Sequence, residues 1–260
     1  MTKTQGHAAL AMAISVLLLG CGAHEPPLRA RTAAAPEVRR LDVGTGTNAY
    51  VVMGARPILV DTGWGKSTEK LERALARIAV APRDLALIVL THGHGDHAGG
   101  ARRMRELSGA KVVAGKGDVE MLEAGHNRPL RPMGTLGKLL RSTSDKPFPA
   151  FTPDIALAPS EELDLRAYGI EGKVVPVPGH TPGSLAVVLA TGEAIVGDLV
   201  RGGLVRRGSP ARHFFHDDCR AAEAHIARLV QAGSRRLFVG HGGPLDGGEA
   251  AAEQRGQDCK

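Results

Sequence analysis

Thr91-His92-Gly93-His94-Gly95-Asp96-His97-Ala98-Gly99-Gly100 places three histidines and one aspartate within six residues. Imidazole nitrogens and a carboxylate oxygen gathered on one tight loop form a donor set that suits zinc, and manganese and iron also accept it. Gly93 and Gly95 are expected to let the backbone turn so that the four side chains converge. The loop follows Leu85 to Leu90, a continuous apolar run as expected of a strand buried on both faces. The chemistry therefore starts where a buried strand ends.

Working outward, short β-rich runs precede this segment: Val38 to Val43, Ala49 to Met53, and Ile58 to Val60 leading into Asp61-Thr62-Gly63. They read as antiparallel strands joined by glycine-marked turns. A helix is expected from about Ser67 to Ala79, with Leu71, Leu75 and Ile78 on one face. After the histidine loop, the pattern predicts one helix over Asp96 to Leu107, a strand over Lys111 to Ala114 and a short helix over Asp118 to Ala124. Residues 125 to 152, rich in Pro, Gly and basic residues, read as a long loop with a brief apolar stretch at Leu136 to Leu140. Strands follow at Lys173 to Val177, Leu185 to Leu189, Ala194 to Val196 and Arg236 to Val239, with a helix from about Ala221 to Gln231.

Three further motifs sit just past three of these strands. They are Gly179-His180-Thr181-Pro182-Gly183-Ser184, Gly197-Asp198 and Gly240-His241-Gly242-Gly243-Pro244. With the histidine loop, this ordered set closely resembles the metallo-β-lactamase superfamily, from about Val38 to Pro244. The resemblance implies an α/β fold, the αββα four-layer sandwich in which two αβ layers pack sheet to sheet, with metals in a cleft at one edge. It also implies that His92, His94 and His180 hold a first metal, that Asp96, His97 and His241 hold a second, and that Asp198 bridges them. Asp61 matches the acidic residue that supports the ligand loop. The implied cofactors are two Zn2+ ions, with Fe or Mn as alternatives. Two such ions sharing a water lower its pKa to near neutrality, which makes hydroxide the nucleophile. Asp96 is then the group that orients the nucleophile or relays its proton.

The remaining histidines serve as a control. His213 and His216, in His213-Phe214-Phe215-His216-Asp217-Asp218, lack the glycine-framed setting and are given a structural or surface role. His225, on a helix, is read as a packing residue.

Fold does not fix substrate. Family members that cleave β-lactams carry Cys or Ser where Asp198 stands, whereas a bridging carboxylate resembles glyoxalase II, lactonases and phosphodiesterases. The leading expectation is hydrolysis of an ester, thioester, lactone or phosphoester. β-Lactam hydrolysis, a mononuclear iron sulfur dioxygenase using His92, His180 and Asp198, and a non-catalytic binding module are the alternatives. Arg207 stands at the spacing of a substrate-contacting basic residue of glyoxalase II. The segments 125 to 152 and 201 to 207 bring Arg128, Arg131, Arg206 and Arg207, which would favour an anionic small-molecule substrate if they faced the site.

Composition narrows the rest. Over 260 residues, 43% are apolar but only 3% aromatic, so the core is mostly aliphatic and base stacking is not expected. The formal charge of +6 comes from scattered Lys and Arg, which argues against a nucleic-acid partner. Lys3 and the apolar run Ala8 to Leu19, ending in Leu18-Leu19-Gly20-Cys21, read as a lipoprotein-type signal peptide over residues 1 to 20. The protein is accordingly expected to be exported and anchored to a membrane through lipid on Cys21, with residues 21 to 37 as a tether and 38 to 260 as the folded domain. An oxidising compartment would permit a bond between Cys219 and Cys259 without requiring one.

Overall fold

The computed structural model describes residues 35 to 44, 46 to 254 and 259; the expected signal peptide and most of the expected tether, with Cys21, lie outside the described residues. Six strands build the first sheet: β1 (Glu37–Asp42), β2 (Asn48–Met53), β3 (Ile58–Val60), β4 (Leu87–Val89), β5 (Lys111–Gly115) and β6 (Ile155–Leu157), side by side in chain order. β1, β2 and β3 are antiparallel, as their glycine-marked turns require, and β3 to β6 are parallel.

The second sheet is formed by β7 (Leu163–Asp164), β8 (Gly172–Pro176), β9 (Leu185–Leu189) and β10 (Glu193–Gly197), followed after the small hairpin of β11 (Arg201–Gly202) and β12 (Pro210–Ala211) by β13 (Arg236–Val239) and β14 (Leu245–Asp246). Its order is β14-β13-β10-β9-β8-β7. β9 is antiparallel to both β8 and β10, while β13 is parallel to β10. β8, β10 and β13 therefore point the same way, and the motif loops that follow them leave the sheet on one edge.

The helices are α1 (Thr68–Arg77), α2 (Gly95–Ala98), α3 (Ala101–Ser108), α4 (Val119–Ala124), α5 (Gly134–Ser144), α6 (Cys219–Gln231) and α7 (Gly247–Gln254). Strand alternation sorts the core into three layers. Tyr50, Val52, Ile58, Val60, Leu87 and Val89 face Val174, Leu185, Val187, Ile195 and Phe238 between the sheets. Val51, Leu59 and Ile88 turn the other way onto Leu71, Leu75 and Met104 of α1 and α3. On the far side, Ala194, Val196 and Leu237 pack on Ile226, Leu229 and Ala250 of α6 and α7. The result is the four-layer αββα sandwich.

Two local expectations need correction. The single helix over Asp96 to Leu107 is two helices broken at Gly99-Gly100. A methyl group on Gly99 would lie 2.6 Å from the Gly65 amide nitrogen and one on Gly100 2.8 Å from the Thr62 carbonyl oxygen, so the backbone of the 62 to 65 segment passes too close there for side chains. The 125 to 152 segment is not wholly a loop, because its apolar stretch lies in α5. Leu140 there lines the cavity described below, while Leu139 is 73% exposed. The Cys219–Cys259 pair, left open by the sequence, is bonded, with Cα atoms 5.8 Å apart.

Candidate metal centre

β4 ends one residue before Leu90-Thr91, and Thr91 is fixed at once by Asp61, at the end of β3. Asp61 Oδ1 accepts the Thr91 amide at 2.8 Å, and Oδ2 accepts the Thr91 hydroxyl at 2.7 Å. Asp61 adopts φ 60°, a left-handed conformation that Asp tolerates better than most residues, and this aims its carboxylate beneath the histidine loop. The same Oδ2 takes the Nδ1 proton of His97 at 2.8 Å. Asp61 thus holds one loop residue and one imidazole through a single carboxylate.

The imidazoles share a pattern. His92 Nδ1 faces the Thr91 hydroxyl at 3.1 Å, His180 Nδ1 the Phe215 carbonyl at 2.8 Å, and His241 Nδ1 the Gly46 carbonyl at 3.0 Å. With His97 on Asp61, four rings commit Nδ1 to oxygen acceptors, which directs each Nε2 inward. His94 is turned the other way: its Nδ1 approaches His180 Nε2 at 3.1 Å.

Asp198, immediately after β10, occupies the middle. Its Oδ2 lies 3.3 Å from His241 Nε2, 3.4 Å from His97 Nε2, 3.8 Å from His180 Nε2 and 3.9 Å from His92 Nε2. Asp96 Oδ2 lies 3.3 Å from His241 Nε2 and 3.6 Å from His97 Nε2. Donor atoms of His92, His94 and His180 fall within 4.8 Å of one another, as do those of Asp96, His97 and His241, and those of His92, His97 and Asp198. All seven residues singled out from the sequence therefore converge, in the grouping the resemblance implied. His92 Nε2, His97 Nε2 and Asp198 Oδ1 are buried without a hydrogen-bond partner among the described residues. Orphaned buried polar atoms are costly, and bound cations would satisfy them, so the donor set fits metal ions.

Electrostatics agree. Burial drives the imidazoles of His92 and His180 well below their ordinary pKa and that of His94 to about 4, so these three are neutral donors at neutral pH. Burial alone would raise the Asp198 carboxyl, but His241, His213 and His97 hold it well below the usual carboxylate range. Burial opposes charge on His241, yet Asp198 and Asp96 outweigh it and push its pKa up to about 10, so its Nε2 carries a proton that a bound cation would displace.

Three features were not anticipated. Asp118 joins the two ligand loops: Oδ2 accepts the Gly93 amide and the Thr181 hydroxyl, each at 2.7 Å, and Oδ1 accepts the Gly183 amide at 2.9 Å. Its sequence setting, ahead of a short helix, gave no signal of this. The need for Gly93 and Gly95 is close approach rather than left-handed backbone, since added methyl groups would meet Asp118 Cβ at 2.9 Å and the Phe148 ring at 2.8 Å. His213, assigned a structural or surface role, instead turns Nε2 toward Asp198 Oδ2 at 3.1 Å and is 6% exposed. Its motif has no flanking glycines, and only the return of the chain between β12 and α6 brings it inward. His216 is buried as a structural histidine would be.

The centre opens into a cavity of about 190 Å3 whose polar wall is His94, Asp96, Asn127, Asp198, His213 and His241, and whose apolar wall is Leu130, Leu140, Phe214 and Phe215. The arginines considered for anion binding lie elsewhere. Arg128 and Arg131 both engage Asp217, at 3.3 Å and 3.9 Å; they line a cleft beside the His180 loop and a small void that reaches His94 and His180, but not this cavity. Arg206 and Arg207 are exposed in the loop between β11 and β12 and do not line the cavity.

With this arrangement in view, the sequence profile of the metallo-beta-lactamase superfamily matches residues 42–241. The chain belongs to the metallo-β-lactamase superfamily. It is similar to a probable metallo-hydrolase of Methanocaldococcus jannaschii, 28% identical over 156 residues that make up 58% of this chain and 68% of that protein. It also resembles a hydroxyacylglutathione hydrolase of Cereibacter sphaeroides, 33% identical over 46% of this chain but only 36% of that enzyme. Among solved structures, the metallo-β-lactamase MIM-1 of Novosphingobium pentaromativorans superposes with a TM-score of 0.59 at 16% identity, covering 88% of this chain and 90% of that one. A match at that identity speaks for the fold alone. Membership in the metallo-β-lactamase superfamily carries the class of activity, a metal-dependent hydrolase with His/Asp metal-binding sites.

Proposed function

We propose that this metallo-β-lactamase-superfamily protein is a binuclear zinc hydrolase of small ester, thioester, lactone or phosphoester substrates. The observation that carries the reading is the central position of the Asp198 carboxylate between two groups of imidazoles, His92, His94 and His180 on one side and His97 and His241 with Asp96 on the other. When bound, a pair of divalent ions supplies a water of lowered pKa and polarises the substrate oxygen.

The protein's own groups do the rest. His92, His94 and His180 would hold the first ion and Asp96, His97 and His241 the second, with Asp198 serving both. Asp96 is the carboxylate placed to orient the attacking water and to pass its proton to the leaving group. It lines the cavity, and the Thr47 hydroxyl donates to its Oδ2 at 3.2 Å, which fixes its direction. Leu130, Leu140, Phe214 and Phe215 keep bulk water from the reacting bond and limit the substrate to a small acyl or phosphoryl group. The similarity to a hydroxyacylglutathione hydrolase supports including thioesters.

We also propose that the protein is exported and lipid-anchored at Cys21. The Cys219–Cys259 disulfide supports an oxidising compartment. Mass spectrometry of the mature N-terminus from the membrane fraction tests the anchor: an acylated Cys21 is expected, and an unmodified soluble N-terminus would refute it.

The function is tested by elemental analysis of the purified protein beside a panel of ester, thioester, lactone, phosphodiester and β-lactam substrates. Two zinc ions per chain with chelator-sensitive hydrolysis of one of the first four classes is expected. One iron per chain without hydrolysis would replace the reading with the dioxygenase, and hydrolysis confined to β-lactams would move the substrate class.

A further inference from the structure

We propose that His213 is an additional metal ligand, an imidazole from the segment between β12 and α6 that joins His180 and Asp198 at the centre. The inference rests on the metal-centre reading above and adds to it a residue that the superfamily ligand motifs in this chain do not include.

Position comes first. Donor atoms of His180, Asp198 and His213 all lie within 4.8 Å of one another. The His213 ring stands perpendicular to that of His180, with centroids 4.6 Å apart, and stacks on that of His241 at 5.6 Å and 24°. Two donors bound to one zinc at about 2.0 to 2.1 Å, at angles between right and tetrahedral, are about 2.9 to 3.4 Å apart. The 3.1 Å between His213 Nε2 and Asp198 Oδ2 falls within that edge length.

The far side of the ring is arranged like that of the other ligands. His213 Nδ1 lies 3.2 Å from the Phe215 carbonyl oxygen, the same oxygen that takes the Nδ1 proton of His180 at 2.8 Å. A carbonyl has two lone pairs, so one backbone oxygen orients two imidazoles and leaves both Nε2 atoms bare toward the centre. The segment is held in place without metal: the Asp217 amide donates to the His180 carbonyl at 3.1 Å, the Asp218 amide to that of Gly179 at 2.8 Å, and the Met133 amide to that of Phe214 at 2.7 Å. His213 therefore needs no rearrangement to reach a metal.

The competing arrangement is specific. If Nδ1 instead accepts the Phe215 amide, 3.3 Å away, Nε2 carries the proton and donates to Asp198, which makes His213 a hydrogen-bonding neighbour rather than a ligand.

The test uses the full chain with cobalt(II) in place of the native metal, in wild type, His213→Ala and His213→Gln. Glutamine keeps an amide donor for Asp198 but gives up the imidazole. We expect both variants, with wild-type circular dichroism, to shift the visible d–d bands of the cobalt protein and to bind zinc about tenfold or more weakly in competition with a chromophoric chelator. Bands that superimpose on wild type in both variants, or a shift in His213→Ala that His213→Gln restores, would overturn the assignment. A measurement on wild type alone guards against variants that fail to fold: the paramagnetically shifted proton spectrum should contain six exchangeable imidazole N–H signals, for His92, His94, His97, His180, His213 and His241. Five signals would exclude His213. Failure of wild type to take up cobalt or zinc would instead overturn the metal centre itself.

Discussion

The Asp118 carboxylate accepts the Thr181 hydroxyl at 2.7 Å, and through that bond a residue ahead of α4 fixes the loop that carries His180. Because the Gly93 amide also donates to Asp118, the histidine loop and the His180 loop are tied to one buried side chain. Burial raises the Asp118 pKa, although the Thr181 hydroxyl and the amides of Gly93 and Gly183 oppose it. Asp118→Ala strands these three donors, at about 1 to 3 kcal/mol each. We expect a loss of about 3 kcal/mol or more in chemical denaturation and less metal in the folded protein; unchanged metal content would show that the two loops are held by other contacts.

Asp61→Asn changes no volume but removes an acceptor from the His97 ring or turns it into a donor. Losing that outer contact is expected to weaken metal binding by about 10- to 100-fold. Competition against a chelator of known affinity measures it, with circular dichroism to confirm the fold. An affinity equal to wild type would mean that Asp61 serves only the turn after β3.

Gly240 has no room for a side chain. A methyl group there would sit 2.0 Å from Asp198 Oδ1 and 2.5 Å from the His97 ring. Gly240→Ala should therefore abolish hydrolysis and lower metal content while leaving most secondary structure intact. Gly208→Ala is the control: the nearest atom to its added methyl is 4.0 Å away, so stability should move by less than about 0.5 kcal/mol. Metal content in Gly240→Ala equal to the control would refute the steric account.

His216 is buried, and burial, helped by repulsion from His213, lowers its pKa to about 3. The unfolded chain binds this proton below about pH 6.5, where the folded protein refuses it. Its contribution to stability is thus fully present above pH 6.5 and is lost as pH falls toward 3, by up to about 1.4 kcal/mol per pH unit for one proton. Urea unfolding of chelator-treated protein at pH 7 and pH 5 should show a smaller acid penalty in His216→Gln than in wild type. Equal penalties would place the acid sensitivity in other groups.

The Cys219–Cys259 bond closes a loop across 40 positions and ties the start of α6 to the C-terminal end of the chain. Cys259→Ser is expected to cost about 2 to 4 kcal/mol. Since α6 begins beside the segment that holds His180, reduction should also speed metal loss to chelator. A reductant-insensitive rate would confine the bond to overall stability.

Local pattern was enough for most of the elements and for the seven principal donors. The continuous run before Thr91 can be satisfied only by a strand covered on both faces, and three histidines and an aspartate in six residues have few uses besides a metal. Glycine-framed motifs after three further strands marked His180, Asp198 and His241, because a donor at the end of a strand needs a close turn to face a shared centre. Where pattern misled, the missing information was distance. The break at Gly99-Gly100 and the need for Gly93 come from chain segments that nearly touch. Asp118 and His213 look like ordinary helix-start and surface residues until the two sheets pack and bring positions 25 to 65 apart in the chain onto Asp118, and His213 onto Asp198. Most of the elements, the ligand chemistry and the family are written in neighbouring residues and were legible from the chain alone. Which side chains orient the ligands, and that His213 lies against Asp198, came from the packing of the strands, because hydrogen bonds between loops leave no periodicity in the chain.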